Sequence, residues 1–301
     1  MVTALVSLDA LDHRNGEQLL WYQVLFNSLD DALYSLGSDN RTTVWSVSTG
    51  QIVKRIGQTS DWIIAMALSP DGKVQAVGSA DGFIVFWNVV ENRSLIQLDN
   101  LGDSVRCLAF SPNGRTLVSG TDDGTIALWD VNTGDKIAAL IDNHGWIQDL
   151  CFSPDGSTVV SASQRTDNII TIFNSDDYRI RNTISIQDRI ESIRFHPTSP
   201  VIASGLLNGT IELWDIETYS LHRILRGHTE RVSSVAYSSD GVLLASGSKD
   251  RTVKLWDSAT GQELTTILAH TGNVTSVAFS ANGRILASAS EDRTIKLWRI
   301  S

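Results

Sequence analysis

Three residue types that together perform acyl transfer occur twice in this chain at one spacing. His228, Ser246 and Asp250, followed by Trp256, are matched 42 positions on by His270, Ser288 and Asp292, followed by Trp298. A hydroxyl, an imidazole and a carboxylate within hydrogen-bond reach make a nucleophile, its base and the group that orients the base. Two features weigh against hydrolysis. A catalytic triad has no need of a duplicate one repeat later, and there is no Gly-x-Ser-x-Gly elbow to hold a serine on a sharp turn. The alternative is a hydrogen-bond chain that allows polar side chains to be buried.

Other chemistries find less support. The six histidines are scattered with no pair at i, i+4, so no metal site is expected. Cys107 and Cys151 are 44 positions apart and are expected to be buried thiols rather than ligands or a disulfide. Neither a phosphate-cradling Gly-x-x-x-x-Gly-Lys loop nor a dinucleotide fingerprint occurs, and no cofactor is expected. Asp122-Asp123-Gly124 lacks the further carboxylates of a calcium loop and reads as a hairpin turn. Lys and Arg number 24 against 34 Asp and Glu, a net charge of −10. That disfavours a nucleic-acid partner, because phosphate binding needs clustered cations. Mean hydropathy is −0.03, and no apolar run approaches the roughly 20 residues a membrane-crossing helix needs. Met1 to Asp9 has no basic start and meets acid early, unlike a secretory signal. A cytoplasmic monomer, with 1–301 as a single domain, is the expectation.

What must position these residues is a repeat. Trp45, Trp87, Trp129, Trp214, Trp256 and Trp298 close apolar runs, and Phe173 fills the one double gap, so seven aromatic marks recur about every 42 residues. Turn signals keep the same beat: Ser69-Pro70-Asp71-Gly72, Ser111-Pro112-Asn113-Gly114, Ser153-Pro154-Asp155-Gly156, Ser238-Ser239-Asp240-Gly241 and Ser280-Ala281-Asn282-Gly283. Asp-Gly and Asn-Gly favour the positive φ of tight hairpins. Between them lie short β-branched runs, for example Val232 to Tyr237, Leu243 to Ser246, Thr252 to Trp256 and Glu263 to Leu268. No window sustains a helical period. The pattern predicts an all-β chain with four strands per unit.

With these marks the sequence resembles the WD40 (β-transducin) repeat family over nearly its whole length. The Trp-Asp pair stands as Trp129-Asp130, Trp214-Asp215 and Trp256-Asp257, and drifts to Trp45-Ser46, Trp87-Asn88, Phe173-Asn174 and Trp298-Arg299; Gly227-His228 matches the family's Gly-His. The resemblance implies a seven-bladed β-propeller of four antiparallel strands per blade. It also implies that each His bridges its Ser and Asp, with the Trp indole as the last partner, in a structural network. That network thins out elsewhere. Ser35, Asp39 and Trp45 remain in blade one, Asp81 and Trp87 in blade two, and Ser119, Asp123 and Trp129 in blade three. Blade four has His144, Ser161, Asp167 and Phe173 with two extra residues near Gln164–Arg165, and blade five has Ser204, Asn208 and Trp214.

The seventh unit ends three residues after Trp298, one strand short, while Val2 to Asp9 precedes the first unit. An open ring would leave two unpaired strand edges. Val2 to Asp9 is therefore expected to pair with the strand ending at Trp298.

The residues that depart from the repeat bear on function. Trp21 aligns with Val232 and is expected in the core. Trp62 and Trp146 align with Arg231, just ahead of the inner strand, and Leu20, Ser104, Arg189 and Asn273 share that position. A second ring precedes the blade Asp: Ser38, Ala80, Asp122, Thr166, Leu207, Lys249 and Glu291. In WD40 proteins this lip surrounds the channel entrance on the top face, and exposed Trp and Arg are the types that anchor interfaces. The expectation is a non-catalytic scaffold whose groove, between Trp62 and Trp146 with Asp122 in it, receives a protein partner's peptide or loop carrying a basic or apolar side chain. Arg189, Leu207, Arg231, Lys249 and Glu291 complete that expected surface. A targeting domain of a larger signalling protein is the alternative, and a propeller enzyme a distant third.

Overall fold

The computed structural model describes residues 2–8, 19–57, 62–99, 101–141, 145–165 and 168–300. Asp9, His144, Thr166 and Asp167 lie outside these. Among the described residues the ordered elements are all strands, arranged as seven four-stranded antiparallel sheets. Turn chemistry explains the strand boundaries. Gly72, Gly114, Gly156, Gly241 and Gly283 hold φ between 70° and 76°, and each closes the hairpin after a blade's first strand. The serine that opens each of these turns is held by the side chain two residues on, as Ser69 Oγ is by Asp71 at 2.7 Å, and accepts the N–H that restarts the next strand, Val74, at 2.9 Å.

The seven first strands are Trp21–Phe26, Ile63–Leu68, Val105–Phe110, Gly145–Phe152, Ile190–Phe195, Val232–Tyr237 and Val274–Phe279. Each packs on the first strand of the next blade, and they line a central cavity of about 460 Å³. Every one carries a β-bulge at the same place: between Trp21 and Gln23, Ile63 and Ala65, Val105 and Cys107, Ile147 and Asp149, Ile190 and Ser192, Val232 and Ser234, and Val274 and Ser276. A bulge inserts one residue without a partner and re-aims its neighbours. All seven inserted residues, from Tyr22 to Thr275, line the cavity.

The residue after the bulge ties blades together. Ser276 Oγ accepts Val24 N–H (3.3 Å), Ser234 Oγ accepts Val277 N–H (3.1 Å) and Ser192 Oγ accepts Val235 N–H (3.4 Å). Asp149 Oδ2 accepts Ile193 N–H at 2.9 Å, and Gln23 Oε1 accepts Met66 N–H at 3.0 Å. Cys107 occupies the same position in blade three; its thiol faces the Ile147 carbonyl at 3.6 Å. A buried backbone N–H without an acceptor costs about 1–3 kcal/mol, so each side chain stabilises the seam it spans.

The ring closes as its leftover strand implies. Val2–Leu8 adds to Ile295–Ile300 as the outermost strand of blade seven, from Val2 opposite Ile300 to Leu8 opposite Ile295. A bulge skips Leu5, as it skips Val53, Leu95, Ile137 and Leu264 on the fourth strands of other blades. These five residues are all exposed apolar side chains, so the amino-terminal strand reproduces the fourth-strand geometry in detail. Leu8, Leu19 and Trp21 pack with Ala289 and Leu297 in one core cluster across the closing seam. Trp21 is fully buried, and its indole donates to the Arg293 carbonyl at 3.1 Å. At the opposite end Asp30 accepts the Ala281 and Asn282 N–H groups. The Ala281 donor exists because that turn has Ala where three others have Pro.

Deleting residues 1–10 re-exposes the edge of blade seven and removes Leu8 from the core. A loss of several kcal/mol in a chain of this size lowers the melting temperature by roughly 10 °C or more; differential scanning calorimetry of the truncated chain checks this.

Candidate functional site

The duplicated His, Ser, Asp and Trp residues form two chains of hydrogen bonds. Trp256 Nε1 donates to Ser246 Oγ at 2.8 Å. An indole N–H only donates, and so does the ring N–H that meets the Asp250 carboxylate, because an ionised carboxylate only accepts. The His228 Nδ1–H therefore points at Asp250 Oδ2, 2.8 Å away, which leaves Nε2 to accept the Ser246 hydroxyl, 2.7 Å away. In blade seven the distances are 2.9 Å from Trp298 to Ser288, 2.8 Å from Ser288 to His270, and 3.0 Å from His270 to Asp292. Ser246 and Ser288 are fully buried and their oxygens are engaged on both sides, so the arrangement offers no accessible nucleophile.

The other blades keep fragments. Trp45 donates to Ser35 at 2.7 Å, and Trp129 to Ser119 at 2.9 Å. Asp39 pairs with Arg55 at 3.0 Å. In blade two Val77 takes the serine's place, and the Trp87 indole N–H is buried without a partner. Blade five departs from its residue pattern: the Trp214 indole turns from Ser204 to the Glu212 carboxylate at 3.0 Å, while Ser204 Oγ donates to the Glu212 carbonyl at 3.1 Å. A carboxylate is the stronger acceptor, and with Ile186 at the histidine position Ser204 has no imidazole to meet.

The two rings of rim residues are joined directly. The backbone N–H of Ser38, Ala80, Asp122, Leu207, Lys249 and Glu291 donates to the carbonyl of Leu20, Trp62, Ser104, Arg189, Arg231 and Asn273 respectively, at 2.8–3.1 Å. Trp62 is 58% exposed and Leu207 38% exposed. Arg189 is exposed, with its guanidinium on Gln164 Oε1 at 2.9 and 3.1 Å. Glu291 accepts from Asn273 at 2.6 Å, and Lys249 is exposed.

Trp146 stands differently from Trp62. Blade four's two extra residues lengthen its first hairpin, so Trp146 lies inside the strand Gly145–Phe152, paired with Gln164. It is half-buried with its indole N–H sealed off, and Arg106 stacks over its ring at 5.7 Å. Arg106 is also paired with Asp122. The Trp146 end of the expected groove is therefore covered by an Arg106–Asp122 pair instead of being an open aromatic anchor.

The structure has seven such units, each a four-stranded sheet, and the family comparison matches the same repeat in six stretches. The model for "WD domain, G-beta repeat" matches residues 50–88, 96–130, 135–174, 181–215, 219–257 and 261–299. The chain belongs to the WD40 repeat family. Short stretches are also similar to curated proteins. One is the Set1 complex component swd1 of Schizosaccharomyces pombe, 40% identical over 58 residues, 19% of this chain and 15% of that protein. Others are the nuclear distribution protein nudF 2 of Penicillium rubens, 48% over 50 residues (17% and 11%), and nudF of Aspergillus flavus, 47% over 45 residues (15% and 10%). The matched chain thus spans 10–15% of those proteins' lengths.

Within this WD40 ring the inserted bulge residues went unrecognised in the sequence. Tyr22, Arg106, Gln148 and Glu191 form the wall of the channel mouth; their signal is a fixed place in the repeat, visible once the bulge is known. Below them Asp149 and Arg194 pair at 2.6 Å across two blades. Cys107 is buried and Cys151 half-buried, both free. Burial lifts both thiols, Cys151 to about 12, so neither is poised as a nucleophile. Among the described residues no group of three or more His, Cys, Asp or Glu is placed to hold a metal ion.

The tetrads set an acid limit. Burial opposes ionisation of Asp250 and Asp292, but hydrogen bonds from His228 and Thr252, and from Thr294, Thr271 and His270, outweigh it and hold both well below the ordinary 3.8, Asp292 at about 2. Burial also lowers His270 below 6.5 despite the Asp292 charge, so it is neutral at pH 7 and joined to Asp292 by a hydrogen bond. In each case the unfolded chain takes up the proton first, so stability is lost as pH falls. Urea midpoints should drop in two stages, below pH 6.5 from His270 and below pH 3.8 from the aspartates, and Asp250→Asn with Asp292→Asn should flatten the lower stage.

Proposed function

We propose that this chain is a non-catalytic protein-interaction module whose top face docks a segment of a protein partner. The observation that carries the reading is Trp62: a large aromatic side chain more than half exposed at the channel rim, its backbone carbonyl fixed by the Ala80 N–H. Rigid, exposed aromatics bury much area at little entropic cost on binding. Leu207, Arg189, Arg231, Lys249 and Glu291 surround the same entrance and give it a mixed apolar and charged rim. Family membership supports the reading, as does the naming of one similar protein as a complex component. Two unpaired thiols suit a reducing compartment such as the cytoplasm, and the module acts as a monomer.

Affinity capture with the intact chain, compared with Trp62→Ala and Leu207→Asp, tests this. Both positions are exposed, so the melting temperature should stay within about 2 °C while partner recovery falls at least tenfold. Recovery that survives both substitutions but is lost on Leu264→Asp, on the outer circumference, would move the docking surface away from the rim.

A further inference from the structure

The side chains that tie the blades together also line the central cavity, and the ties consume their acceptors. Ser192, Ser234 and Ser276 each accept a backbone N–H of the next blade. A hydroxyl keeps a proton of its own to give, and among the described residues none of these three protons meets an acceptor. Gln23 continues the same arc into blade one, since Ser276 Oγ is bonded to the N–H of its neighbour Val24. A backbone N–H only donates, so the atom that Met66 N–H meets is Gln23 Oε1. The two N–H groups on Gln23 Nε2 have no acceptor among the described residues. Asp149 is the carboxylate of this layer, and both its oxygens are engaged: Oδ1 by Leu150 N–H at 2.9 Å, Oδ2 by Ile193 N–H and Arg194. Arg194 lies two residues beyond Ser192, at a place where every other blade has Leu, Ala or Cys. Its side chain is 37% exposed and lines the cavity, and its bonds, to Asp149 and to the Ile193 carbonyl, both use Nη1. Its Nε and Nη2 groups have no acceptor among the described residues. Glu191, the other carboxylate on the cavity wall, is 7% exposed and lies against Arg231.

We propose that the central cavity binds a small tetrahedral oxyanion of the phosphate or sulfate class, against the wall formed by blades five, six, seven and one. That wall offers O–H and N–H groups whose acceptors are already spent, so it suits a ligand that accepts and does not donate. Water brings as many donors as acceptors, and a polyol likewise, so either sets its own protons against those of the wall. A metal cation finds no free oxygen pair on Asp149. An oxyanion has acceptors alone, and hydrogen bonds to an ionised acceptor are roughly twice as strong as neutral ones. Arg194 supplies the charged partner, with N–H groups left after its bond to Asp149. The donors come from several directions, from successive blades and from one step further down blade five, which fits four oxygens around one centre better than the two coplanar oxygens of a carboxylate.

Nuclear magnetic resonance of the intact chain tests this. The Gln23 side-chain amide signals, identified by their loss in Gln23→Glu, and the Arg194 Nε–H signal, identified by its loss in Arg194→Met, are followed at pH 7 during titration with sodium phosphate and with sodium sulfate. Sodium chloride at matched ionic strength is the control for screening, and sodium acetate the planar control. The expected result is a saturable shift of both groups with phosphate and sulfate, at concentrations at least tenfold below those of chloride and acetate. Arg194→Met should abolish the shift at Gln23. Gln23→Glu keeps an oxygen for Met66 N–H, so it tests the site should the methionine variant fail to fold; it replaces two donors with a carboxylate oxygen and should weaken the Arg194 response at least tenfold. Absence of a saturable shift, an equal response to chloride, or indifference to these substitutions overturns the proposal. Trp62→Ala and Leu207→Asp should leave the phosphate response unchanged, so failure of the top-face reading shows in partner capture and failure of this proposal in the anion titration.

Discussion

Each blade turns on one bulge in its first strand. The inserted residue breaks the period-two alternation once, so the residue behind it swings toward the next blade and the inserted one faces the channel. The first consequence is mechanical: where that residue can accept, as Ser192, Ser234, Ser276, Asp149 and Gln23 do, it satisfies a backbone N–H of the neighbouring blade. The second is functional, because the same distortion supplies the channel's wall. Stability and recognition surface thus come from adjacent residues, and the wall residue can vary from Tyr22 to Thr275 without disturbing the acceptor beside it.

The seven seams are not equivalent. Blades six and seven carry full tetrads, in which a donor-only indole at one end and an acceptor-only carboxylate at the other are joined through serine and imidazole. The seam from blade seven to blade one adds the Trp21, Ser276 and Asp30 contacts to the shared sheet. At the other extreme, blade two places Val77 beneath Trp87 and Ala65 at the acceptor position, leaving an unpaired indole. The ring is heavily bonded where its two ends meet, the place at which a closed sheet has most to lose.

Much of this was legible from spacing. The aromatic marks and Asp-Gly or Asn-Gly turns located the blades, since a hairpin turn demands positive φ and few residues supply it cheaply. The unpaired last unit and the surplus Val2–Leu8 strand made the closure readable, because strand edges must be covered. The bulges were not legible: which residue of a strand is skipped is decided by its partner strand and by the neighbouring blade, not by local pattern. That is why Arg106 and Glu191 went unnoticed while Trp62 stood out. Trp146 was placed at the lip because alignment counted residues, whereas two additional residues in blade four lengthen a hairpin and draw the ring beneath Arg106. The Trp214–Glu212 bond was hidden for a similar reason, since it depends on which of two nearby acceptors is charged.

Closure between Val2–Leu8 and Ile295–Ile300 also bears on biosynthesis. Of the ring's strands Val2–Leu8 is made first, yet its permanent neighbour is made last, a delay on the order of tens of seconds at ordinary elongation rates. During that interval six blades can assemble in order through local hairpins, while an apolar ribbon bearing Val6 and Leu8 waits without its mate. The entropic cost of joining such distant segments grows only logarithmically with the intervening length, and by then it is largely met by the blades already in place. Among the ring's strands Val2–Leu8 therefore waits longest for its partner during synthesis and has the greatest opportunity to mispair.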